Sequence, residues 1–109
     1  MSYSVIATPR FKKEAKRLIK KYPSLYWELQ EFEKLVVSNP SEGTPLGQNA
    51  YKIRLAIKSK GKGKSGGARV ITYVITKEED IYLLTIYDKS ELDTIDSSVI
   101  KSLISEINS

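Results

Sequence analysis

Apolar and polar positions along this chain follow two rhythms, and the change from one to the other marks out its elements. Residues 3–7, YSVIA, make a short β-prone run suited to an edge strand. From Phe11 the period lengthens: Phe11, Ala15, Leu18, Ile19 and Tyr22 recur at the spacing of one helical face. Thr8 stands where an N-cap belongs and Pro9 at the first helical position. Tyr22-Pro23-Ser24 breaks that helix and opens a second, with Ser24 expected as its cap. Leu25, Leu29, Phe32 and Val36 share a face that Leu35 widens. So short a break predicts two antiparallel helices packed as a hairpin. Trp27 could cap the hairpin core or sit exposed as a partner contact, and core packing is expected because large aromatics are mostly buried. Asn39-Pro40 stops the second helix, and residues 39–50, NPSEGTPLGQNA, read as a connecting loop.

The period then drops to two. Tyr51, Ile53, Leu55 and Ile57 alternate with Lys52, Arg54, Ala56 and Lys58, predicting a strand with one apolar and one basic face. A Gly/Lys loop, Ser59–Gly67, leads to a second strand from about Ala68 to Thr76, and a third covers Ile81–Tyr87. Both are apolar at nearly every position, as central strands covered on two faces should be. Short connections make the three an antiparallel meander. A last helix, capped by Asp96, Ser97 or Ser98, carries Val99, Ile100, Leu103, Ile104 and Ile107 as its stripe. The order predicts one α+β domain over residues 1–109: a helical hairpin and a C-terminal helix packed on a small, mainly antiparallel sheet.

Charge sharpens this picture. Lys and Arg total 18 against 13 Asp and Glu, a net +5. The excess is concentrated on the polar face of the first helix and in residues 52–69, which contain no acid. A small basic domain suits a polyanionic partner. For the lysine-covered helix a solvated flank and a phosphate-facing surface explain the pattern equally well. The sequence has no cysteine and no histidine, so thiolate chemistry and the commonest general base are excluded. No apolar run approaches the length of a membrane span, and cytoplasmic residence is expected.

The Gly/Lys loop is not a phosphate-binding P-loop. Lys58 stands where that pattern needs a glycine before Gly63-Lys64-Ser65, and the loop leads into a strand rather than a helix. What remains is a basic loop beside a basic strand face, with Arg69 at its end and Lys89 beyond the third strand. A flexible solvated hairpin tip is the plain explanation. Convergence of so many cations favours an anion that relieves their repulsion, such as RNA phosphate. RNA supplies its own nucleophile, the 2′-hydroxyl. A protein then needs a proton acceptor, a proton donor and cations for the phosphorane. A lysine crowded by cations becomes a better base, and arginine forks onto phosphate oxygens. Tyr87 and Asp88 are further candidates for proton work. No carboxylate cluster suggests a metal, so a metal-independent reaction without cofactor is expected.

The segments KIRLA, SKGKGKSGGAR and YLLTIYDK resemble the RelE/ParE toxin superfamily, particularly its HigB-like branch, and the element order matches along nearly the whole chain. The resemblance implies a RelE-like fold and a type II toxin acting as a ribosome-dependent mRNA endoribonuclease. It also implies a cognate antitoxin, contact with mRNA and 16S rRNA, and a monomer when free that forms a hetero-oligomer with its antitoxin. The resemblance matches Lys52 and Arg54 to cleft residues that contact phosphate or move protons, Arg69 to the arginine that stabilises the transition state and Lys89 to a further catalytic cation. With Lys58 of the strand face and Tyr87, the catalytic candidates are Arg54, Lys58, Arg69, Tyr87 and Lys89. Lys52, Lys60, Lys62 and Lys64 become RNA- and ribosome-binding candidates. Ile95 lies near the place where some members carry a catalytic tyrosine, which leaves that role vacant unless Tyr87 or another group fills it. Two rival expectations are a ParE-like toxin that binds DNA gyrase without catalysis, and a basic RNA-binding module.

Overall fold

The computed structural model describes residues 3–61 and 63–109, the Lys64 side chain excepted. The sheet has five strands in the order β1-β5-β4-β3-β2. These are β1 (Ser4–Ala7), β2 (Thr44–Gly47), β3 (Ala50–Leu55), β4 (Ala68–Ile75) and β5 (Asp80–Asp88). Helices α1 (Pro9–Lys21) and α2 (Leu25–Ser38) follow β1, and α3 (Ser97–Asn108) ends the chain. β1 runs parallel to β5, and all other pairs are antiparallel. The α+β class, the edge position of β1 and the central position of β4 and β5 agree with the sequence reading.

Local chemistry explains how the helices are placed. The Thr8 hydroxyl accepts the Phe11 N–H and also donates to the Leu83 and Leu84 carbonyls. One side chain thus caps α1 and fastens it to β5, where the β4–β5 register shifts. Phe11, Ala15 and Leu18 are buried along α1, and Leu25, Leu29, Phe32 and Val36 along α2. They meet Ile53, Val70, Val74, Ile81, Leu83 and Ile86 on one face of the sheet. The other face is closed by α3, whose Ile100 and Ile104 pack on Ala50, Ile71, Tyr73, Leu84 and Tyr87.

Four expectations need correction. Residues 39–50 are not all loop, because Thr44–Gly47 pairs with β3 as an edge strand. Every residue of that strand is exposed, so burial leaves no mark in its sequence. β3 ends at Leu55, three residues before the alternation in the sequence runs out. Its end is set by α2: Glu28 Oε2 accepts the Lys58 N–H (2.7 Å) and holds residues Lys58–Lys60 in a 3-10 turn. Ser24 makes no side-chain cap. Instead it exchanges hydrogen bonds with Ser59, the Ser24 N–H donating to Ser59 Oγ and the Ser59 N–H to Ser24 Oγ. Trp27 is 69% exposed and stacks edge-on against Tyr26, outside the core. Among the described residues no helix is long and apolar enough to cross a membrane.

Candidate functional site

Strand register brings the cations of the sheet together. Arg54 of β3 stands opposite Arg69 of β4, and Arg69 stands opposite Tyr87 of β5. Directly paired residues project to the same face, so the three form one row across three strands on the α3 side. Lys52 lies two residues back from Arg54 on that face, opposite Ile71. Lys89 follows β5, and its N–H donates to the Gly67 carbonyl (3.0 Å), which keeps it beside the start of β4.

The row is graded in exposure. Arg54 is exposed and Lys52 half-buried, whereas Arg69 is only 4% exposed. The Arg69 guanidinium donates to the Ala68 carbonyl (3.1 Å) and the Ser65 carbonyl (3.3 Å), so the Gly/Lys loop fixes its orientation. Tyr87 is buried, and its hydroxyl has no hydrogen-bond partner among the described residues. An unsatisfied buried hydroxyl costs free energy, and functional sites are one place where that cost is tolerated.

An acid the sequence reading did not single out completes the cluster. Asp93 pairs through its carboxylate with Lys89 Nζ, which also donates to the Asp93 carbonyl. The Lys89 ion pair, with Arg69 and Lys52 behind it, holds the Asp93 carboxyl below its usual range. The cluster therefore attracts an anion, and a solvent-facing side chain supplies one. Only the i,i+4 spacing from Lys89 could have flagged Asp93 in the sequence.

The remaining basic candidates are distributed differently. Lys58 is exposed but lies off the strand, on an apolar groove of about 640 Å³ between α2 and β3 with Trp27, Glu28, Phe32, Leu35 and Ile53. Arg54 of the row lines the same groove. Lys60, expected to face RNA, is turned inward to a buried ion pair with Asp88; its side chain is 7% exposed. Lys62 and the Lys64 side chain lie outside the described residues.

Asp88 is likewise withdrawn from proton work. Fully buried, it accepts from Lys60 Nζ, from the Ser90 N–H (2.9 Å) and hydroxyl (2.7 Å), and from the Tyr22 hydroxyl (3.0 Å). Burial alone would push the carboxyl up, but these donors outweigh it and hold the group well below the usual carboxylate range. Among the described residues no three His, Cys, Asp or Glu side chains converge as metal ligands would.

No protein-family model matches the chain. Solved structures do. E. coli toxin RelE in the free state, as a double arginine-to-alanine mutant, superposes with a TM-score of 0.62 at 19% identity, over 85% of this chain and 90% of that one. The same mutant in complex with an antitoxin RelBc peptide gives 0.62 at 19% identity over 94% of each chain. The intact E. coli RelBE toxin–antitoxin complex gives 0.60 at 19% identity over 79% of this chain and 95% of that one. The architecture is therefore the RelE fold.

Proposed function

We propose that this chain is the toxin of a type II toxin–antitoxin pair and that it cleaves mRNA at the ribosome. One observation carries the reading: on a RelE fold, the strand register lines up Arg54, Arg69 and Tyr87 on one sheet face, with Lys52 and Lys89 beside them. The site has cations to gather phosphate, a guanidinium held by the Ala68 and Ser65 carbonyls, and a buried hydroxyl free for a new hydrogen bond. The attacking group comes from the substrate. The ribose 2′-hydroxyl gives up its proton and attacks phosphorus, the 5′-oxygen leaves with a proton, and a 2′,3′-cyclic phosphate remains.

Arg69 and Arg54 carry the added negative charge of the phosphorane, a role suited to a group that stays protonated. Tyr87, Lys89 and Lys52 are the groups at hand for the two proton transfers. Asp93 marks where a phosphate would compete for the same cations. Lys60 is turned away from this row to Asp88, and Lys58 lies past the end of β3 on the groove that Arg54 also lines. The RelE structures solved with RelB and with its peptide support an antitoxin as the protein partner.

Induced expression in bacteria, with mRNA 5′-ends mapped genome-wide, tests the reading. Wild type should arrest growth and create new ends within translated codons. Arg69→Ala should lower cleavage by about 10²–10³-fold, the usual consequence of removing a preorganised charge stabiliser. Growth arrest without new mRNA ends would sink the nuclease and favour a non-catalytic toxin. No arrest would favour a binding module.

A further inference from the structure

We propose that the buried Lys60–Asp88 pair is a positioning device that sets the Gly/Lys loop and the end of β5 in the geometry cleavage requires. The proposal rests on the nuclease reading for its consequence, though the pair itself is a structural fact.

The network joins three segments distant in sequence. Asp88 Oδ1 accepts from Lys60 Nζ, which also donates to Ser90 Oγ (2.9 Å), while Oδ2 accepts from the Tyr22 hydroxyl. Lys60 Nζ lies 5.6 Å from the centre of the Tyr22 ring. The junction of α1 and α2, the 3-10 turn that opens the Gly/Lys loop, and the loop after β5 are thus tied to one carboxylate.

Its place in the strand matters most. Asp88 stands between Tyr87 and Lys89, and alternation along a strand sends its side chain to the opposite face. Fixing Asp88 from behind fixes the peptide that presents both neighbours to the row. The carbonyl of Asp88 also accepts the Glu91 and Leu92 N–H groups, turning the chain toward Asp93. On the other arm, Gly61 follows Lys60 in a left-handed conformation (φ 74°), so the loop changes direction where the ammonium is anchored. Ser65 lies in that loop and gives its carbonyl to Arg69. The tether therefore reaches Lys89 and Tyr87 on one side and Arg69 on the other, without entering the row.

A purely stabilising role makes a different prediction, because a buried ion pair is often replaced by apolar residues with no loss of stability. The full-length protein is compared as wild type, Lys60→Arg, Asp88→Asn and the double variant Lys60→Met/Asp88→Leu. Melting, kcat and KM on ribosome-bound mRNA, and amide exchange of residues 58–67 and 89–93 are measured for each. Asp88→Asn should lower kcat by roughly 10–100-fold with KM changed less than about twofold, on the scale of lost outer-shell support. Lys60→Arg should retain most of kcat. The double variant should recover melting while kcat stays low and both segments exchange faster.

If the double variant regains kcat along with melting, or if Asp88→Asn folds and cleaves like wild type, the proposal is overturned. Should Asp88→Asn fail to fold, the double variant alone decides. Should wild type itself fail to cleave, the nuclease reading falls and amide exchange alone decides: unchanged exchange in both segments rejects the tether.

Discussion

An alanine at position 67 would place its Cβ 2.1 Å from the Leu55 carbonyl oxygen and 3.1 Å from the Ala56 Cα. Both are backbone atoms, so neither can swing aside as a side chain does. Ordinary contact begins near 3.4 Å, so β3 and the entry to β4 would have to part. Forcing extra volume into a packed site costs about 1–3 kcal/mol. The same displacement weakens the hydrogen bond from the Lys89 N–H to the Gly67 carbonyl, worth about 1 kcal/mol. Gly67→Ala should therefore destabilise the domain by about 2–4 kcal/mol, lowering its melting temperature by roughly 10–20 °C. Gly61 is the control: nothing lies within 4 Å of its Cβ position, but its φ is +74°. Gly61→Ala should cost only about 1 kcal/mol, from backbone conformation alone. Thermal and urea unfolding followed by circular dichroism measure both. The close approach is refuted if Gly67→Ala melts within about 2 °C of wild type, or if Gly61→Ala is the more damaging change.

The Asp88 carboxyl is depressed from its unfolded value of 3.8, so its stabilisation is complete above that pH and is lost as pH falls toward the folded value. Asp88→Asn should flatten the acid limb of stability against pH; an unchanged slope would contradict this. Trp27→Ala should change stability by no more than about 0.5 kcal/mol, because the ring is 69% exposed. A loss above about 1.5 kcal/mol would put that ring in the core in solution. Lys52→Ala should weaken single-stranded RNA binding and reduce the slope of log K against log salt by about 0.7, one phosphate contact. Lys34→Ala, a change to an exposed α2 lysine paired with Glu31, should leave that slope unaltered.

What could be read from the chain was whatever burial had written into it. The α1 and α2 stripes and the continuous apolar runs of β4 and β5 are consequences of being covered, and they located the layers and the central strands. β2 is fully exposed and contains Pro45 and Gly47, so nothing periodic announced it. The alternation past Leu55 misled because Ile57 is buried although the strand has ended. Only the 76–79 connection is short enough to fix a register, that of Arg69 with Tyr87; the pairing of Arg54 with Arg69 spans residues 56–67 and could not be read from spacing. Lys60 could not be told from Lys62 or Lys64 by spacing, since its partner Asp88 is distant in sequence and faces the helical side. Trp27 shows the limit of residue-type averages: α2 already buries Leu25, Leu29, Phe32 and Val36, and position 27 falls off that face.

The parallel pairing of β1 with β5 sets a schedule for the molecule's birth. Ser4 pairs with Asp80 and Ala7 with Leu83. The strand synthesised first thus has no neighbour until most of the chain exists, and such non-local contacts are slow to form. Arg54 and Arg69 are made before Tyr87 and Lys89. The row across β3, β4 and β5 is complete only once β5, the last of its strands, has been made and paired.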